Sequence, residues 1–300
     1  MDDALYLLGF SSKLHRHNPH HAPCLNGMNI ALEDPLAELV DWDIVDLLEH
    51  FGIERLEVGP VWAWFKRIER ADFEGPAGEK NLADIHWLTP RVIAHEKVVD
   101  QLSLQSSFYP ARFGTLFSCE SRLQAFVSQF SDQLLVFFQR IQGKKEWGIK
   151  FFGNHAQAAK IIAEREGIVR QGVPLGGAKY LKLKQLQRAT STVKSDFFIT
   201  TMREAIQSLE TQFSELIARP IPSTHQEATQ GELLSNIAVL SSEPESNRLV
   251  GWVDDWNNTK SFTSGIHVEQ TGPWPAYSFC PSLTLDTAND SIDKPTRRAA

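Results

Sequence analysis

Between residues 123 and 141, apolar side chains recur at helical spacing: Leu123, Phe126, Val127, Phe130, Leu134, Phe137, Phe138 and Ile141. Ser128, Asp132, Gln139 and Gln142 occupy the opposite positions. A stripe this long has to bury its apolar side against another layer, so it fixes a helix and a core midway along the chain. Gly143 follows where the residue just past a helix end belongs, and residues 146–152 restart as an apolar, aromatic-rich strand. This stop and restart predicts an N-terminal domain over 1–143, a C-terminal domain over 144–280 and a polar tail over 281–300.

N-terminal to that helix the pattern is mixed. Residues 5–10 form a short apolar run that reads as a buried strand. Residues 11–29 carry His15, His17, His20, His21, Pro19, Pro23 and Gly27 and read as a loop. Asp34-Pro35 gives a helix start, followed by Leu36, Leu39, Val40, Leu47, Leu48 and Phe51 at helical spacing. Residues 55–66 read as a strand or hairpin, and residues 75–78 as a loop. Residues 82–104 read as helix interrupted near Thr89-Pro90, because the residue before proline is pushed out of the α region. Residues 108–117 read as extended, turning at Gly114.

C-terminal to Gly143 the order is strand (146–152), helix (154–166), a long helix (about 179–218), a second strand near 223–232, then strand (233–240), helix (245–256) and strand (265–271). The long helix carries a break near residues 190–192. Forty residues of helix span roughly 60 Å, so this segment either breaks or projects as a contact surface. The strand–helix alternation is a ferredoxin-like α+β order. The fold class expected is therefore α+β, mixed in the N-terminal domain and ferredoxin-like in the C-terminal one.

Charge and motif spacing narrow the function. A formal net charge of −7 argues against a phosphate-binding surface and hence against nucleic acid as a partner. No apolar run approaches the roughly 20 residues that span a bilayer, and the acidic start Met1-Asp2-Asp3 is unlike a secretory leader, so neither a membrane nor export is expected. Cys24, Cys119 and Cys280 are odd in number and widely spaced, which suits a reducing cytoplasm. The histidine loop could hold zinc or nickel, but it has prolines and no cysteine or carboxylate at metal-finger spacing, so a solvated loop is expected and no metal. Residues 172–179 resemble a phosphate loop only loosely, since Ala178-Lys179-Tyr180 stands where Gly-Lys-Ser/Thr is needed. His95-Glu96 lacks the second histidine of a zinc protease, Val99 occupying its place. No catalytic residue and no cofactor is expected.

Three short segments remain: Tyr109-Pro110-Ala111-Arg112-Phe113-Gly114-Thr115, Glu146-Trp147-Gly148-Ile149-Lys150 and Gly272-Pro273-Trp274-Pro275-Ala276-Tyr277-Ser278-Phe279. In this order, after a helix with His95-Glu96 and an opening Leu5–Phe10 strand, they resemble the gas vesicle GvpL/GvpF family. The helix over 34–51 departs from the loop and strand that the resemblance implies there. The resemblance implies a modified ferredoxin-like C-terminal domain and an accessory protein of gas vesicle assembly, located in the cytoplasm on or near the vesicle. It implies binding of the hydrophobic shell protein GvpA, and contact with other accessory proteins. Candidate contact or motif residues are Arg112, Phe113, Trp147, Phe213, Trp274 and Tyr277. Arg112, flanked by apolar residues, is expected to be a buried structural charge with Glu96 or Glu146 as partner. The stiff Pro273–Tyr277 run is either a binding hot spot or a clamp on the last strand. The alternative function is a ferredoxin-like small-ligand or metal-binding protein, or an enzyme.

Overall fold

A computed structural model describes residues 3–13, 51–165, 176–181, 192–219 and 231–283. The histidine loop, the Asp34-Pro35 helix, most of the phosphate-loop-like segment and most of the tail lie outside the described residues. The chain divides into two compact units, one formed by Met1–Gln142 with Pro275–Ala300 and the other by Gly143–Trp274. The described residues from Pro275 to Leu283 therefore cluster with the N-terminal unit.

The first unit is built on β1 (Asp3–Ser12), β2 (Ile53–Val58), β3 (Val61–Glu69), β4 (Phe108–Pro110) and β5 (Leu116–Phe117). The sheet order is β2-β3-β1-β4, and β5 also pairs with β1; every pairing is antiparallel. Strand β1 is buried on both faces, which is why its sequence is a continuous apolar run and not an alternating one. Tyr6, Leu8 and Trp64 pack with Val98, Val99 and Leu102 of helix α2 (Ile85–Gln105). The central stripe forms α3 (Glu120–Ile141), whose Phe126 stacks on Phe10 and whose Phe137 meets Tyr109 edge-on.

Two local expectations in this unit are corrected. Residues 75–78 are not a loop: they open helix α1 (Gly75–Ala83), with proline in the first turn, where its missing N–H costs nothing. The break in the next helix falls at Asp84, whose side chain accepts from the His86 N–H at 2.9 Å, and α2 then runs through Pro90 without interruption. Pro90 lies near the helix start, where few intrahelical bonds are lost.

The second unit contains β6 (Lys144–Gly153), α4 (His155–Arg165), α5 (Thr192–Gln212), β7 (Leu216–Arg219), β8 (Glu232–Ser242), α6 (Glu243–Asp255), a π-helical turn (Trp256–Lys260), α7 (Ser261–Ser264) and β9 (Ile266–Trp274). Its antiparallel sheet runs β7-β8-β6-β9. With the crossing helices this is the ferredoxin-like βαββαβ arrangement, modified because α4 and α5 share the first crossover. One face of the sheet carries Ile149, Phe151, Ile237, Val239 and Val268, packed against Phe198, Leu209, Leu249 and Trp252 of the helices.

Among the described residues the strand ahead of β8 is Leu216–Arg219, at residues whose spacing predicts helix, while most of the segment near 223–232 lies outside the described residues. Helix α5 stops at Gln212 because Phe213 turns into the core at 3% exposure. Short apolar runs fit either a helix end or a strand, and here pairing with β8 decides. The helix expected to end at Trp256 continues through the π-helical turn to Ser264. Among the described residues no helix is long and apolar enough to cross a membrane.

Candidate functional site

Strands β4 and β5 flank β1 at different points along it, so the segment between them bows outward as a loop over 111–115. Gly114 turns that loop with φ 79°, a left-handed conformation that glycine adopts at least cost. The loop is held from beneath. His95 lies on the apolar stripe of α2 and is 4% exposed. Its Nε2 bonds the Ala111 carbonyl at 3.1 Å, an oxygen that can only accept, so Nε2 carries the proton. Nδ1 of the neutral ring is then the acceptor for the Tyr6 hydroxyl at 2.9 Å, and that hydroxyl accepts from the Gly114 N–H at 3.4 Å. Burial holds the imidazole down at about 4 and pushes the Tyr6 hydroxyl well above the ordinary phenol range. Both imidazole nitrogens are engaged, so the ring is a strut and not a free base.

Phe113 packs its half-buried ring against Tyr6, Phe73 and His95. Arg112 is exposed, which corrects the expectation of a buried charge. Glu96, of the same unit, makes no ion pair with it among the described residues. Glu96 accepts from the Tyr277 hydroxyl, at 3.2 Å to each carboxylate oxygen, and Glu146 pairs with Arg219. Flanking apolar residues misled because Ala111 and Phe113 point inward while the side chain between them points out.

Tyr277 thus ties the segment after Trp274 to α2. Beside it, Tyr109 donates to the Pro281 carbonyl at 3.2 Å, and Arg140 lies over the Phe279 ring at 5.3 Å. Burial, then the Glu96 charge, raises Asp100 to about 6; burial also raises Glu96 itself, against the Tyr277 hydrogen bond. Burial keeps the Cys280 thiol protonated, and it donates to the Ala276 carbonyl at 3.3 Å.

The other motif residues belong to the second unit. Glu146 on β6 is fully buried and lies opposite Trp274 on β9. Arg219 reaches it from β7 across β8, passing Gly148: a Cβ there would stand 3.3 Å from Arg219 Nη1 and 2.6 Å from Thr271 Oγ1, so a larger residue would have to displace the Thr271 side chain. Trp147 points to the helical face and donates to Ser246 Oγ at 2.9 Å. Phe213, expected on an exposed contact surface, is a core residue. Trp274 is 43% exposed, its indole N–H bonded to Thr271 Oγ1 at 3.3 Å.

The named motif residues therefore separate between the units, Arg112, Phe113 and Tyr277 in one and Trp147, Phe213 and Trp274 in the other, where Trp147 packs against the core that holds Phe213 and Trp274 lies opposite Glu146. Sequence reading missed the Tyr6–His95 strut and the Glu146–Arg219 pair. The first had a signal, since His95 precedes Val98, Val99 and Leu102 at helical spacing and so falls on the buried stripe. Among the described residues no group of three or more His, Cys, Asp and Glu side chains could hold a metal. A cleft of about 440 Å³ beside α5 is lined by Arg165 and Lys260 but also by Glu204 and Asp255, so its charges balance.

Residues 48–281 match the model of the gas vesicle synthesis protein GvpL/GvpF family. Gas vesicle protein L of Streptomyces sp. (strain CB03234) is 25% identical over 228 residues, covering 75% of this chain and 81% of that protein. Gas vesicle protein L1 of Halobacterium salinarum (strain ATCC 700922 / JCM 11081 / NRC-1) is 26% identical over 219 residues, covering 67% and 73%. The crystal structure of GvpF from Anabaena sp. PCC7120 superposes with a TM-score of 0.52 at 16% identity, covering 93% of this chain and 97% of that one. That of GvpF from Microcystis aeruginosa gives 0.51 at 18% identity, covering 93% and 99%. At these identities the structural likeness establishes the fold.

Proposed function

The chain belongs to the gas vesicle GvpL/GvpF family, and from that premise we propose that it is an accessory protein of vesicle assembly that binds the hydrophobic shell protein GvpA. A shell subunit exposes apolar surface toward gas, so before assembly it is prone to aggregate. A protein that covers this surface reversibly keeps the subunit competent, and works in the cytoplasm at or near the growing vesicle, alongside other accessory proteins. The reading includes no turnover.

Trp274 is the observation that carries the reading. It is the exposed aromatic of the motif segments, whereas Phe113, Trp147, Tyr277 and Phe279 are all committed to packing. It stands at the end of β9 between Pro273 and Pro275, on backbone that loses little freedom when a partner binds. Exposed tryptophans on rigid backbone are frequent energetic centres of interfaces.

The test compares wild-type protein with Trp274→Ala, each shown folded by circular dichroism, in co-precipitation with GvpA and in light scattering of GvpA diluted from denaturant. Wild type should co-precipitate and delay scattering at stoichiometric concentration, and Trp274→Ala should do both less well. Wild type that does neither would sink direct shell binding.

A further inference from the structure

Arg112 occupies a place that apolar contact through Trp274 does not use. The backbone around it is bonded inward at each turn. Ala111 N–H donates to the Leu8 carbonyl at 2.9 Å, and the Ala111 carbonyl accepts from His95 at 3.1 Å. The Arg112 carbonyl accepts from Thr115 N–H at 3.2 Å and from the Thr115 hydroxyl at 2.7 Å. Gly114 N–H goes to Tyr6, and the Thr115 carbonyl accepts from Leu7 N–H at 2.9 Å. Phe113 closes the underside. The loop is thus fixed by a buried hydroxyl and a buried imidazole, and the one side chain it leaves exposed is Arg112.

Strand pairing and Phe113 packing would hold these residues near β1 without that polar strut. Its added effect is orientation: a satisfied buried network restricts the loop to one conformation. Among the described residues Arg112 makes no ion pair. The thiol beside it, Cys280, is kept neutral by burial and does not neutralise it.

We propose that Arg112 is a preorganised anchor that docks a carboxylate of the shell protein, an inference that rests on the shell-binding reading above. A guanidinium is charged at every physiological pH and matches a carboxylate through two parallel N–H···O bonds. The fixed backbone lowers the ordering cost of forming them. A carboxylate fits better than a polyphosphate chain, because a protein of net charge −7 repels a polyanion but not a single acidic side chain on an apolar partner.

The experiment titrates full-length wild type, Arg112→Lys, Arg112→Gln and Arg112→Glu against purified GvpA by co-precipitation, at low and high salt. Arg112→Gln should bind about tenfold more weakly, as expected for loss of a hydrogen bond to a charged group. Arg112→Lys should keep part of the affinity, Arg112→Glu should lose it, and the wild-type advantage should shrink in high salt. Urea midpoints of the four should coincide, because the side chain is exposed. Tyr6→Phe loosens the loop, so it should weaken binding in the wild-type background and add nothing in Arg112→Gln. If Tyr6→Phe does not fold, the Arg112 series decides alone. Equal binding by wild type and Arg112→Gln overturns the anchor and leaves the shell reading standing; binding by none of the proteins overturns both.

Discussion

His95 and Asp100 face each other's titration with opposite signs. Burial holds His95 at about 4 against an ordinary 6.5, so the fold favours its neutral form. That contribution is intact above pH 6.5 and is lost as pH falls toward about 4. Asp100 is lifted from 3.8 to about 6 by burial and by the Glu96 charge. Its neutral form is the favoured one, so its contribution is intact below pH 3.8 and is lost as pH rises through 6. Between pH 4 and pH 6 the two slopes oppose each other and flatten the profile. Asp100→Asn removes one of them. Relative to wild type the variant should gain about 2 kcal/mol as pH rises from about 4 to about 6.5, after discounting the shift for partial exposure. Urea denaturation at a series of pH values and constant ionic strength checks this, and superimposable profiles would defeat it.

Edge strands are the elements most exposed to unwanted pairing, and β9 is an edge of its sheet. The π-helical turn covers it. Asn257 donates to the Val268 carbonyl at 2.8 Å and accepts from the Val268 N–H at 2.9 Å, so one side-chain amide stands in for a neighbouring strand. Trp256 donates to the Ile266 carbonyl at 3.3 Å, and Ser264 Oγ accepts from the Ile266 N–H at 3.1 Å. Asn257→Ala should cost about 1–3 kcal/mol, the penalty of leaving buried backbone groups unsatisfied. Hydrogen exchange at the Val268 amide should accelerate at the same time. An unchanged Val268 exchange rate would mean that something other than Asn257 protects this edge. The opposite edge, β7, is guarded by brevity, since it spans Leu216–Arg219 and ends in the arginine that pairs with Glu146.

At the scale of the whole molecule the chain leaves its first unit after Gln142 and re-enters it at Pro275. The ends of the inserted unit lie side by side, because Glu146 on β6 pairs with Trp274 on β9. We propose that residues 143–274 fold alone. The excised segment should show a cooperative thermal transition and native-like circular dichroism, since its sheet and its helical core are both internal to it. Residues 1–142 without the returning segment should be less stable than the same residues with it, because the Tyr277–Glu96 hydrogen bond and the Arg140–Phe279 contact are then lost. A non-cooperative excised unit would show that its core needs the rest of the chain.

The sequence by itself determined the elements whose signals are local and redundant. The stripe from Leu123 to Ile141 reads as an amphipathic helix and the apolar run at Leu5–Phe10 as a buried strand, and the structure has both. The strand and helix order after Gly143 pointed to a ferredoxin-like sheet, although its strand at Leu216–Arg219 was read as the end of a helix. What the tertiary structure alone decided are the features set by partners far along the chain. Leu216–Arg219 is a strand because β8 offers it backbone hydrogen bonds, although its spacing also fits the end of a helix. Arg112 is exposed, and Phe213 is buried, because a side chain's direction follows from the path of the backbone and not from the hydropathy of its neighbours. The partners of Glu96 and Glu146 were equally hidden. Tyr277 is 181 residues from Glu96, and a contact at that separation leaves no periodicity for the sequence to show.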